Sequence, residues 1–186
     1  MQNLVLCGFM GSGKSTVGPL VAAASGREFL DMDRFIEQKA GKSIPAIFAE
    51  EGEAGFRERE HEACRELAAR TGLVIASGGG APTFSRNVEA MKSDCLVLLE
   101  VSLENVLRRT GQEGDRPMIA GEDGRAKTIR LYEARRPLYL AAADIIVNAD
   151  LPPQKAAEEI LRKWEEYRKQ KNGNGPMGTK ANKVNV

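Results

Sequence analysis

Cysteine, histidine and long apolar runs are all scarce in this sequence, and each scarcity removes a class of function. The three cysteines, Cys7, Cys64 and Cys95, are odd in number and far apart, with no Cys-x-x-Cys pair. That excludes a disulfide framework and a thiolate zinc site, and it suits a reducing compartment. The single histidine, His61, cannot build a histidine-based metal centre. No apolar run approaches the roughly 18 residues a membrane helix needs, and the N-terminus enters an apolar strand without a basic, signal-like lead-in. A soluble, cytoplasmic chain with no membrane partner is expected. Net charge is also nearly absent, at +1. The last 19 residues carry five basic side chains and no acid, so the rest holds 22 basic against 26 acidic residues, a net −4. A body of that sign offers no footprint for nucleic acid.

What is present is the rhythm of a parallel sheet covered by helices. A chain of 186 residues can bury roughly 70% of its unfolded surface, enough for one domain with a real core. Apolar runs at Leu4–Cys7, Phe29–Asp31, Leu73–Ala76, Cys95–Leu99 and Ile145–Val147 alternate with amphipathic stretches, the signature of a three-layer α/β/α architecture with five parallel strands. Helices are expected over Lys14–Ser25, Asp33–Ala40, Ile44–Glu51 and Phe56–Arg70, then from Ser85. Further helices are expected over Leu103–Thr110, over Ala126–Ala143 with a bend near Pro137, and from Pro152-Pro153 to Lys171. Residues 111–125 hold four glycines and mixed charges and read as an exposed loop. Residues 172–186 read as a disordered tail after a single domain over 1–171.

Gly8-Phe-Met-Gly11-Ser12-Gly13-Lys14-Ser15 matches G-x-x-x-x-G-K-[ST] in full, directly after a strand and before a helix. The glycines let backbone N–H groups close on phosphate oxygens, and the helix N-terminus adds partial positive charge. Lys14 reaches the β- and γ-phosphates and the Ser15 hydroxyl is a Mg²⁺ ligand, with Thr16 supporting the phosphate end. GTP switching is disfavoured: the lone Asn-Lys, Asn182-Lys183, lies in the tail with Asn185 where an aspartate is needed. A mechanical ATPase needs an apolar strand ending in an acid, which Cys95–Glu100 offers only superficially.

The second substrate is written in charge. Asp31 and Asp33, two apart at the end of a strand, are expected to point the same way, one acid serving the metal and the other taking a hydroxyl proton. Arg57 and Glu60 are helical neighbours, so the glutamate can hold the guanidinium for a bidentate grip on an anion. Ser77-Gly78-Gly79-Gly80 after a strand brings bare backbone to a ligand. Arg116-Pro117 in the loop and Arg135-Arg136-Pro137 beyond it supply further positive charge. Together these point to a kinase for a small anionic acceptor.

Taken in order, G-x-x-G-S-G-K-S-T, D-x-D, F-R-x-x-E, G-G-G, a loop R-P and the R-x-P-x-Y of Arg135–Tyr139 resemble the shikimate kinase family over about residues 1–165. The resemblance implies a nucleoside-monophosphate-kinase-like P-loop fold with a mobile lid over 111–125 and an acceptor region around 32–60. It implies transfer of the γ-phosphoryl group of ATP to the 3-hydroxyl of shikimate, with Mg²⁺, in the route to chorismate and aromatic amino acids, by a monomer. By the same resemblance Asp33 binds the acceptor hydroxyls and acts as base, while Asp31 joins Ser15 at the metal. Arg57 and Arg135 clamp the carboxylate, with Glu60 and the backbone of Gly78, Gly79 and Gly80 beside them. Lys14 and Arg116 stabilise the transferring group, Arg109 stacks on adenine, and the Pro152-Pro153 turn lies near the adenine loop. Met32 replaces the usual Ser or Thr and is expected to point away from the ligand. A kinase for gluconate or a nucleoside monophosphate and a catalytically silent nucleotide-binding module are the remaining alternatives.

Overall fold

Runs rich in Leu, Val and Ile with no polar alternation suit strands covered on both faces, and three such runs form the middle of the sheet. In the computed structural model, which describes residues 2–112 and 122–173, β1 (Leu4–Cys7), β3 (Leu73–Ala76) and β4 (Cys95–Glu100) are buried almost throughout. The half-exposed β2 (Glu28–Asp31) and β5 (Ile145–Asn148) form the edges. All pairings are parallel and the order is β2-β3-β1-β4-β5, the five-stranded sheet expected from the apolar runs.

Because strand side chains alternate between faces, the sheet carries two cores. Leu4, Leu6, Val97 and Leu99 pack with α1 (Lys14–Ser25), α7 (Pro153–Gly173) and Tyr139 of α6 (Glu122–Ala142). Val5, Leu73, Ile75 and Leu96 pack with α2 (Met32–Ala40) and α3 (Ile44–Ala68). The short α4 (Ser85–Ala90), α5 (Leu103–Gln112) and a single 3-10 turn over Ala81–Thr83 complete the described helices. Helix α3 is tied to the sheet through the buried Asn3, whose amide donates to the carbonyls of Leu67 and Arg70 and accepts from the Leu73 N–H. That anchorage fixes the far end of the helix that carries Arg57.

Three boundaries differ from the sequence expectation. Helix α2 begins at Met32, because Asp31 takes the N-cap position and accepts from the N–H groups of Asp33 and Arg34. The two helices expected on either side of residues 52–55 join into α3, with one break at Gly52, where φ 68° and ψ −174° suit glycine alone. The ends of the expected 111–125 loop are helical, in α5 and α6, and the rest of it lies outside the described residues, as does the tail beyond Gly173. No helix among the described residues is long and apolar enough to cross a membrane.

Candidate active site

The parallel register brings the carboxyl ends of β1, β2 and β3 to one edge, with Leu6 and Asp31 both opposite Ala76. Ligands of open α/β sheets bind at that edge. There the chain leaves β1 through Gly8, whose φ of 145° no ordinary side chain adopts readily. A Cβ at Gly8 would stand 2.7 Å from the Leu99 carbonyl oxygen, so the loop can start against β4 only as glycine. Gly11 and Gly13 also have positive φ, and Gly13 caps α1 without any side-chain bond. The first turn of α1 therefore presents N–H groups and no acid, the arrangement that attracts a phosphate. The Lys14 ammonium is folded over the same loop, donating to the carbonyls of Gly8 (2.9 Å) and Phe9 (3.2 Å) and to the Ser12 hydroxyl (3.4 Å).

Asp31 and Asp33 do come together, though not by strand alternation. Asp31 is the last strand residue and the N-cap; Asp33 sits in the first turn of α2. The cap uses Asp31 Oδ1, leaving Oδ2 to accept from the Ser15 hydroxyl at 3.0 Å. One carboxylate thus starts a helix and faces the phosphate loop. Asp33 lies by the glycine turn, where a Cβ on Gly78 would approach its Oδ1 to 2.8 Å. Met32, between them, is fully buried in the second core against Cys64, 3.8 Å away, and is not among the residues that line the cavity, although its methyl end lies beneath Gly78.

The Arg57–Glu60 pair is built as the sequence implied. Arg57 Nη1 donates to both Glu60 oxygens at 3.2 and 3.1 Å, and Nη2 donates to Glu53 at 3.1 Å. Phe56 and Phe84 bracket the guanidinium, 5.2 and 4.9 Å from ring centre to Cζ. Glu60 is 1% exposed; burial pushes its carboxyl pKa up, with Arg57 opposing and the Asp33 charge adding to the rise. Gly80 must be bare for this guanidinium to lie where it does, since a Cβ there would stand 2.6 Å from Nη1.

These groups line one cavity of about 430 Å³: Lys14, Ser15, Thr16, Asp31, Asp33, Arg57, Glu60, Gly78, Gly79, Gly80 and Arg135 all border it. A second hollow of about 320 Å³ shares Gly11, Gly13 and Thr16 with it and adds Ser12, Arg109 and Pro153. Arg109 closes that hollow by donating to the carbonyls of Gly11 (2.8 Å) and Ala149 (3.0 Å). Arg116 lies outside the described residues. Cys7 is buried behind the loop, its thiol pKa pushed up to about 12 by burial, so it packs and does not react.

Sequence reasoning gave no part to Met10, Ile44 and Phe56, the apolar lining of the larger cavity, nor to Asn87. Asn87 is buried; its amide donates to the Ala81 carbonyl (3.1 Å) and, more distantly, to Glu60 (3.5 Å), and its oxygen meets His61 Nδ1 at 2.9 Å. Only the F-R-x-x-E spacing could have marked Phe56; nothing local marks Asn87.

A protein arranged this way has close relatives of known kind. The shikimate kinase family model matches residues 10–165. The chain is 41% identical over 168 residues to the shikimate kinase of Pseudomonas entomophila, spanning 89% of this chain and 98% of that one. The solved shikimate kinase from Acinetobacter baumannii in complex with shikimate superposes with a TM-score of 0.82 at 40% identity, covering 89% of this chain and 94% of the other. A sugar kinase from Janibacter, 18% identical with a TM-score of 0.61 over 89% of this chain and 95% of that one, shares the fold alone. By family model, sequence and fold together, the chain belongs to the shikimate kinase family.

Proposed function

We infer that the chain transfers the γ-phosphoryl group of ATP to the 3-hydroxyl of shikimate, giving shikimate 3-phosphate and ADP. The observation that carries this reading is the single cavity in which a phosphate loop, an aspartate pair and an arginine clamp face one another. Shikimate is an anion with several hydroxyls, and the cavity offers two guanidiniums for the carboxylate and Asp33 for the hydroxyls. The relative whose structure holds shikimate supports the same acceptor.

In this mechanism Arg57, held flat by Glu60, and Arg135 bind the carboxylate. Asp33 accepts the proton of the attacking hydroxyl while its oxygen bonds to the γ-phosphorus and the bond to ADP breaks. Lys14 leaves its loop carbonyls for the β- and γ-phosphate oxygens and offsets the charge that spreads over them. Arg109 and Pro153 border the adenine end. The residues also fit Mg²⁺, which takes hard oxygen ligands, keeps several waters and leans on one or two carboxylates plus phosphates. Ser15 and Asp31 supply such oxygens 3.0 Å apart, and the buried Ser77 hydroxyl on the same cavity has no hydrogen-bond partner among the described residues. Mg²⁺ held by Ser15 and Asp31 would neutralise phosphate charge. A monomeric, cytoplasmic enzyme of one domain completes the proposal.

Coupled ADP release with Mg²⁺-ATP and shikimate, gluconate, AMP or no acceptor tests it. Release that requires shikimate is expected. Release with gluconate or AMP in its place would overturn the acceptor assignment, and ATP binding without release in any arm would leave a silent nucleotide-binding module.

A further inference from the structure

The glycine turn after β3 is held by its carbonyls. The Gly78 carbonyl accepts from the Ala81 N–H (3.1 Å), and the Gly80 carbonyl accepts from the Thr83 N–H (3.0 Å) and the Thr83 hydroxyl (2.7 Å). These are bonds the turn makes within itself. The Gly79 carbonyl is different, for it accepts from the hydroxyl of Tyr139, 60 residues away on α6, at 2.5 Å. Gly79 has open space where a Cβ would stand, and two glycines in succession give the Gly79–Gly80 peptide wide freedom to rotate. A peptide group is planar and trans, so whatever holds the carbonyl also aims the next N–H in the opposite direction.

Tyr139 is built for that task. Its ring is 3% exposed and packed into the first core, so the hydroxyl is presented from a rigid base. It lies four residues, one helical turn, beyond Arg135, on the same face of α6. Arg135 borders the cavity, and its charge opposes the rise that burial imposes on the phenol pKa. Burial pushes the phenol pKa up to about 12, so the group stays a donor at every working pH. The helix that supplies a clamp arginine thus also grips the backbone opposite it.

We propose that Tyr139 is a positioning residue for the acceptor end of the site: its hydroxyl fixes the Gly79–Gly80 peptide and ties that backbone to the helix carrying Arg135. The inference rests on the reading that shikimate occupies this end of the cavity. Nucleotide contacts lie at the phosphate loop and Arg109, so losing the hydroxyl is expected to fall on one substrate only.

The test is Tyr139→Phe in the full chain, which removes one oxygen and keeps the packed ring. The expected result is a shikimate KM raised about tenfold, the scale of one well-placed hydrogen bond, with kcat and the KM for ATP within about twofold of the wild type. Shikimate affinity by calorimetry, at a temperature where near-ultraviolet circular dichroism shows the variant folded, should weaken in parallel. An unchanged shikimate KM and affinity would overturn the inference, as would equal losses for both substrates, the mark of a merely structural role. Absence of shikimate-dependent turnover in the wild type would be a different failure, that of the acceptor assignment itself.

Discussion

Replacing Arg57 with methionine would keep most of the apolar stem while deleting the guanidinium that lies over Phe84 and faces Glu60. The Glu60 side chain is 1% exposed and that of Arg57 17%. The carboxylate would then keep the long Asn87 contact of 3.5 Å and the Arg135 charge, which lowers its pKa, against burial and the Asp33 charge, which raise it. Breaking a buried pair from one side costs about 3–5 kcal/mol. Because the guanidinium is itself partly exposed, the lower end applies, about 3 kcal/mol at pH 8. For a chain of this size that is a fall in Tm of about 6–12 °C.

The sign of the pH dependence follows from the direction of the Glu60 shift. Its folded-state pKa is above the ordinary carboxylate value already and rises further without Arg57, so the folded state binds the proton more tightly than the unfolded one. Stability is then lost as pH rises through the folded pKa and regained as it falls back toward the ordinary carboxylate range, at up to about 1.4 kcal/mol per pH unit. Urea melts of wild type, Arg57→Met and the double variant Arg57→Met/Glu60→Gln, from pH 5 to 8, read this directly. The single variant should recover toward the wild type at pH 5. The double variant, with neither charge of the pair left, should regain all but about 1 kcal/mol at pH 8, while its shikimate KM, like that of the single variant, should be raised because the carboxylate has lost one of its two guanidiniums. A deficit that is flat with pH, or one as deep in the double variant, would refute the argument that an uncompensated Glu60 carries the cost.

Three further outcomes are expected. Asp33→Asn should lower kcat about 100-fold or more, the span of a lost general base, with ATP affinity by calorimetry within about twofold; near-normal turnover would remove Asp33 as the base. Gly8→Ala should cost about 1–3 kcal/mol in urea melts from backbone strain alone, and more if the loop cannot move off the Leu99 carbonyl, with ATP binding weakened in step. Asn87→Leu should cost about 1–3 kcal/mol by removing the buried amide that bonds the Ala81 carbonyl, Glu60 and His61 beneath the clamp, which a melt would register; an unchanged melt would mean the Asn87 contacts contribute no net stability.

The parts of this site legible in the sequence are those whose chemistry is local. The phosphate loop needs its glycines, lysine and serine within eight positions, because one strand-turn-helix supplies them all. The Arg57–Glu60 spacing is legible for the same reason, since a helix makes i and i+3 neighbours wherever it lies. The five parallel strands and their burial followed from apolar runs that only a doubly covered sheet can use, whereas the strand order did not. Where local rules compete, the reading slipped. Asp31-Met32-Asp33 fits two strand positions separated by an inward residue, but an aspartate after a strand is also a strong N-cap, and the cap prevailed. The same two acids reached the cavity by a different geometry.

What stayed hidden is the layer that holds the site in place, because its contacts span long stretches of chain. Asn87 meets Glu60 across 27 residues and Ala81 across 6, and Tyr139 meets Gly79 across 60. Neither spacing repeats a helix or strand period, so no window along the sequence contains the reason for either residue. Tyr139 was visible as the last letter of R-x-P-x-Y, yet the letter carries no role until the turn it grips is folded beneath it. The glycines that free the backbone to approach a ligand also free it to rotate. A turn of three glycines therefore needs an outside donor, and a search for such sites should ask which distant hydroxyl or amide supplies it.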